Sequence, residues 1–256
     1  MSPEPVAIDA ARLAAATGSG VRVLLVDSGV EVSHPALQGV RIPCWGVRLA
    51  EGATPCVVED SGGDAAGHGT AVAWLLHQHA PEAELHSLRA IGPSLHGSSA
   101  LLLAGLRWGV RQGYDILVCS FGTACEDFLR DYKRLVDQAF CRNVWLVAAS
   151  GNVDFCAAEY PAHFPTVLST DFAALHGLAL QRRRGTLVEF VANGEGLHVP
   201  WRGGGYRTVS GCSFAAPHLA ALAARVRQAH PAWNACQAKA ALYALAEEAP
   251  REALRT

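Results

Sequence analysis

The stretch Val21–Val30, VRVLLVDSGV, begins with an apolar run interrupted only by Arg22 and ends on Asp-Ser-Gly plus a valine. A strand with one wet face alternates apolar and polar residues, whereas an unbroken run suits a strand buried on both faces of a parallel sheet. Three more such runs follow: Ile116–Cys119 (ILVC), Val144–Ala149 (VWLVAA) and Thr166–Ser169 (TVLS). Helical patterns lie between them. Ser99–Gln112 carries Leu102, Leu106 and Val110 at regular helical spacing, and Phe128–Phe140 aligns Leu129, Tyr132, Leu135, Val136 and Ala139 on one stripe. This alternation predicts an α/β fold of three layers, a mostly parallel central sheet with helices on both faces.

The C-terminal third reads differently. Ala173–Arg207 suggests two short strands or hairpins with a turn at Arg182–Gly185, and Ala215–His230 and Asn234–Glu248 are alanine-rich helices parted by Pro231. With no repeat or linker, the reading is one domain over 21–248, an N-terminal extension over 1–20 and a C-terminal tail over 249–256.

Composition narrows the partners. A chain of 256 residues with 50% hydrophobic content can bury one large core, and a net charge of −2 gives no footprint for nucleic acid or an anionic membrane. The first twenty residues lack the basic start and apolar core of a secretory signal, so the expected location is the cytoplasm. Eight cysteines there are expected as thiols rather than disulfides. No CxxC occurs, His77 and His79 stand alone, and no dense Asp/Asn run offers a clear calcium loop, so no metal or other cofactor is expected.

Open parallel sheets bind ligands beyond the carboxyl ends of their strands. Asp27 follows VRVLLV, Ser120 follows ILVC, and Asn152 follows VWLVAASG; His68 lies at a glycine-flanked helix start in DAAGHGTAVA, and Ser213 lies in VSGCSFAAPH at residues 209–218. Each alone has an ordinary explanation as a turn or cap. Their joint order, Asp, His, Asn, Ser, does not.

Here the chain resembles the subtilisin-like serine proteases, or subtilases, whose triad runs Asp…His…Ser. VLLVDSGVEVSHPAL resembles the aspartate segment and DAAGHGTAVA the histidine segment. LVCSFGT and LVAASGN resemble the strands that line the substrate, YPAHFPTVLST the strand after them, and VSGCSFAAPHLAALAA the nucleophile helix. The resemblance implies a subtilisin-like fold and a serine endopeptidase acting on peptide or protein substrates. It implies Ser213 as nucleophile, His68 as base, Asp27 as its orienting acid, and Asn152 with the Ser213 N–H as oxyanion donors. Ser120, Phe121, Gly122, Ala149, Ser150 and Gly151 would bind substrate.

Two positions depart from the family pattern: Ala71 stands where a second histidine is usual, and Cys212 where threonine is usual. The first lies outside the triad. The second raises a choice between a reactive thiol and a small packed side chain. Glu159, just before Tyr160-Pro161, falls at the implied floor of the pocket for the residue preceding the scissile bond (P1) and would favour Lys or Arg there; pointing to solvent, or pairing with a neighbouring arginine, is its other reading. A basic P1 preference would make QRRRG (181–185) a self-cleavage site. A selective cytoplasmic peptide-maturation protease fits these expectations; the alternative is a catalytically silent peptide-binding module on the same fold.

Overall fold

The computed structural model describes residues 8–50, 54–95 and 97–250. The outer parts of the expected extension (1–7) and tail (251–256) lie outside the described residues. In chain order the strands are β1 (Arg22–Asp27), β2 (Gly29–Val30), β3 (Cys44–Leu49), β4 (Pro55–Glu59), β5 (Gly63–Asp64), β6 (Glu84–Arg89), β7 (Ile116–Cys119), β8 (Trp145–Ala149), β9 (Leu168–Ala173), β10 (Gln181–Arg182), β11 (Phe190–Asn193), β12 (Leu197–Trp201), β13 (Gly205–Val209) and β14 (Glu247–Glu248). The helices are α1 (Ala10–Ala15), α2 (His68–His79), α3 (Ser99–Arg111), α4 (Leu129–Cys141), α5 (Cys212–Ala229) and α6 (Ala235–Leu245).

One sheet runs in the order β14-β10-β11-β9-β8-β7-β1-β6-β3-β4. From β11 through β3 every neighbouring pair is parallel, while β3–β4 and β10–β11 are antiparallel. The opening stretch explains the layers. Val23 and Leu25 enter a core shared with α2, α5 and α6, whereas Leu24 and Val26 enter a second core shared with α3 and α4. Both faces of β1 are dry, so no polar residue interrupts it between Val23 and Val26. The fold is the expected three-layer α/β architecture.

Some boundaries move. The strand expected at Thr166–Ser169 runs Leu168–Ala173, because the polar Thr170 and Asp171 are buried in it. The helix expected from Ala215 starts at Cys212, so Pro217 lies in the second turn and cannot donate to the Ser213 carbonyl. The proline thus leaves the Ser213 carbonyl without its i+4 donor in the helix. The Asn234 helix ends at Leu245, and Asn234 caps it through reciprocal bonds with Gln237.

The QRRRG segment is not a free turn. Gln181 and Arg182 form β10; Arg182 and Arg184 both reach Glu248, and Arg183 sits 2.8 Å from the buried carboxylate of Asp171 and over the Phe155 ring. Arg182 and Arg183 are thereby tied to the sheet edge, whereas Arg184 and Gly185 remain exposed at the turn that follows. No disulfide joins the eight cysteines, all of which are among the described residues.

Candidate active site

Four strand and helix ends meet at one edge of the sheet. Asp27 closes β1, is 1% exposed, and accepts from its neighbour's backbone Ser28 N at 2.7 Å. His68 opens α2 with Nδ1 2.8 Å from Asp27 Oδ1. The approach requires glycine: a Cβ on Gly69 would lie 2.0 Å from the Gly29 carbonyl and 3.0 Å from Asp27 Oδ1. The preceding Gly67 takes φ +90° as the helix cap, a conformation that costs a side-chain residue strain.

Asp64 holds this arrangement from behind. Its carboxylate accepts from Ser28 Oγ, Ala66 N, Gly67 N, Thr70 N and Thr70 Oγ1, and Ser28 Oγ in turn accepts from Gly69 N. The start of α2 is thereby bonded to the end of β1. Sequence reading passed over Asp64, although an acid just ahead of a helix start is the ordinary signal for a cap.

Burial opposes charge on His68, but the Asp27 carboxylate, its hydrogen bond and the field of Asp64 together outweigh it, so the imidazole pKa stands above the ordinary 6.5. The ring lies between Phe121 and Phe214, tilted by 47° and 46° to them, at centroid distances of 5.1 and 5.0 Å. Ser213 occupies the first turn of α5, where backbone N–H groups lack intrahelical acceptors. Asn152 Oδ1 accepts from Cys212 N at 2.8 Å, which fixes the amide at the start of α5.

A cleft of about 550 Å³ joins these groups. Its lining includes His68, Ser120, Phe121, Gly122, Ser150, Gly151, Asn152, Glu159 and Ser213. The structure thus brings every expected site residue to one place except two. Asp27 lies behind His68, paired with its Nδ1. Ala149 points into the core shared with α5 and does not line the cleft, because it is the last inward residue of β8.

Glu159 reaches between the two strand ends: a Cβ on Gly122 would meet its Cγ at 2.5 Å, and one on Gly151 its Oε2 at 3.1 Å. Burial raises its carboxyl above the ordinary glutamate value, with His163 pulling weakly the other way. Its loop is fixed by the Thr123–Tyr160 bridge and by His163, which accepts from Glu159 N and lies 3.0 Å from the Phe155 carbonyl.

Cys212 takes the packed reading. It is fully buried, with Sγ 3.3 Å from both Ser150 Oγ and Asp171 Oδ1. The cleft also gains a wall that sequence reading missed: Trp201, Arg207, Thr208, Val209 and Ser210 from the β12–β13 hairpin. Nothing local marks Trp201 and Arg207 as functional; their hairpin reaches the site by packing onto α2 and by leading from β13 into the start of α5. Among the described residues no group of three or more His, Cys, Asp or Glu side chains is arranged to hold a metal ion, and no helix is long and apolar enough to cross a membrane.

Comparison with known proteins agrees with this geometry. M-protease of Shouchella clausii (strain KSM-K16) is 30% identical over 231 residues, covering 86% of this chain and 57% of that protein, so the chain spans little more than half of that relative's length. Subtilisin Savinase of Lederbergia lenta is also 30% identical, over 86% of this chain and 81% of its own. Among solved structures, a cold-adapted subtilisin-like serine proteinase superposes with TM-score 0.74 at 25% identity, covering 90% of this chain and 83% of the other. The family model for the subtilase family matches residues 18–255, and the chain belongs to that family.

Proposed function

We propose that the protein is a serine endopeptidase in which Ser213, His68 and Asp27 form the triad and Asn152 completes the oxyanion hole. The observation that carries this reading is the 2.8 Å pairing of buried His68 with buried Asp27, in a cleft that His68 shares with Ser213 and Asn152.

In the first half-reaction Ser213 Oγ bonds to the scissile carbonyl carbon while its proton passes to His68 Nε2. The carbonyl oxygen becomes an oxyanion facing the Asn152 NH2 and the Ser213 N–H. Asp27 accepts a hydrogen bond from Nδ1–H, which keeps Nε2 free as a base, and its charge stabilises the imidazolium once it forms. Collapse of the adduct breaks the C–N bond as His68 returns its proton to the leaving amine. Water then enters, gives a proton to His68 and attacks the acyl ester; the acid product leaves and Ser213 recovers its hydrogen. The helix start favours this chemistry because its free N–H groups and dipole stabilise negative charge on the substrate oxygen.

Glu159 supports a finer reading, cleavage after Lys or Arg. Its carboxylate lies between the strand ends that would flank a P1 side chain, among the described residues it makes no ion pair with an arginine, and leaving it unpaired in a half-buried site is unfavourable. A silent binding module is the weaker alternative, since it has no use for an intact Asp27–His68 pair beside an accessible serine.

Labelling with a fluorophosphonate tests the chemistry. Wild-type protein should be modified once, at Ser213, and Ser213→Ala should not be modified. A wild type that stays unlabelled while correctly folded would make the module reading the better one. Peptide-library cleavage then reads P1, with small or aromatic preference removing the role given to Glu159.

A further inference from the structure

Arg207 has no function in the scheme above, yet it stands in the same cleft as His68 and Ser213. Its guanidinium carbon lies 5.1 Å from the centroid of the Trp201 ring. Trp201 in turn packs against the start of α2, where a Cβ on Gly67 would come within 2.7 Å of the indole Nε1. Trp201 therefore lies against the residue preceding His68, while Glu159 lies between Gly122 and Gly151. From β13 the backbone passes through Ser210 straight into Gly211 and Ser213, so this hairpin borders the nucleophile on the His68 side.

His68 is the group that gives a proton to the departing amine. The substrate segment that follows the scissile bond must leave past it, along the wall made by Trp201 and Arg207. Stacking on an indole holds a guanidinium's plane and leaves its edge donors pointing outward. Arg183 and Arg227 are neutralised by Asp171 and Asp115. Among the described residues Arg207 makes no ion pair with a carboxylate, and it is exposed.

We propose that Arg207 selects an acidic residue within the first few positions after the scissile bond, so that the cleft reads charge at both ends, a cation before the bond and an anion after it. This rests on the peptidase reading of the site and narrows its substrates to peptides with a basic-to-acidic step at the cleavage point.

The test uses two series of quenched fluorescent peptides. In one, P1 is fixed and the three following residues carry Asp, Ala or Lys; in the other, those residues are fixed and P1 varies. The wild type should favour the Asp series over the Lys series by about two- to fivefold in kcat/KM, the range an exposed ion pair supports. The ratio should fall towards one in Arg207→Gln, invert in Arg207→Glu, and shrink as salt is raised. Fluorescence anisotropy of the same peptides on Ser213→Ala should give the same order without turnover.

An Asp-to-Lys ratio unchanged in Arg207→Glu overturns the proposal. Glu159→Gln should flatten the P1 series alone, so failure of the P1 reading leaves the Arg207 result intact. Failure of Ser213 labelling, with charge order kept in the binding arm, would sink the catalytic reading without touching the selectivity of Arg207.

Discussion

Burial alone would strip the proton from His68, and the contest with Asp27 and Asp64 decides its titration in the opposite sense. His68 must be neutral to accept the serine proton, so activity should rise with pH through a midpoint above 6.5, measured as kcat/KM on a peptide with a neutral P1. A midpoint below 6.5 would mean that desolvation wins. Asp27→Asn should lower turnover by about 10⁴-fold through the wrong imidazole tautomer, the size of effect known for serine-protease triads. Asn152→Ala should lower it by about 10²–10³, the magnitude known for this donor in subtilisin itself. Cys212 illustrates what burial does to a reactive group. With Sγ enclosed by Ser150, Gly151 and Asp171, it should resist iodoacetamide in the native protein, whereas the exposed Cys125, Cys141, Cys156 and Cys236 are labelled. Peptide mass mapping reads this directly, and early modification at Cys212 with loss of activity would restore the reactive-thiol reading.

Between elements, the contact of α2 with α5 carries the site and a pH sensitivity of its own. His218 on α5 packs against His79 on α2 with ring centroids 4.9 Å apart, tilted by 45°, and bonds its Nδ1 to the Phe214 carbonyl. Burial, with His79 adding, drives the His218 pKa from 6.5 to about 4 despite that bond. The unfolded chain therefore takes up a proton near 6.5 that the folded chain refuses until about pH 4, and stability is lost as pH falls across that interval, by about 3 kcal/mol at pH 4. His79, also lowered, acts in the same direction. Guanidinium unfolding of Ser213→Ala from pH 7.5 down to 4.5 should show the slope, and His218→Asn should flatten it; an equal slope in both would assign it elsewhere. Elements like β1, β7 and β8 could be read from sequence because both faces of each strand are dry. β6 escaped because His86 and Ser87 break its run, although both are buried; His86 is paired with Tyr114 Oη and Glu84 at 2.8 Å each. The triad segments stood out because each motif is local and their order is shared with a family. Trp201 and Arg207 did not, because they reach the cleft only once the β12–β13 hairpin and α2 are packed together; Asp64 did carry a local capping signal, an acid just ahead of a helix start.

At the scale of the molecule, the sheet gathers the carboxyl ends of β1, β7 and β8 at one edge, and α2 and α5 bring His68 and Ser213 to it from the same side. That convergence depends on close backbone approach, so Gly69→Ala, whose methyl would collide with the Gly29 carbonyl, should separate α2 from β1 and cost about 3 kcal/mol or more together with activity. The same edge holds Glu159 half-buried, where the P1 role proposed for it and stability would pull in opposite directions. Its folded carboxyl has a raised pKa, so the folded state prefers it protonated, and stability is fully present below the ordinary glutamate value and declines as pH rises through the raised one. Recognition of a Lys or Arg side chain needs the ionised form and is therefore lost as pH falls through that same raised value. The ratio of kcat/KM for Lys against Leu at P1 isolates this, since His68 titration cancels between the two substrates. The ratio should fall on acidification at a pH above that of an ordinary glutamate, and Glu159→Gln should lower it by about ten- to a hundredfold at neutral pH, the range of a charge-assisted hydrogen bond. The same variant should melt at a higher temperature than wild type at pH 7.5 and lose that advantage in acid. A Lys-to-Leu ratio indifferent to pH and to Glu159→Gln would place the carboxylate outside the P1 pocket.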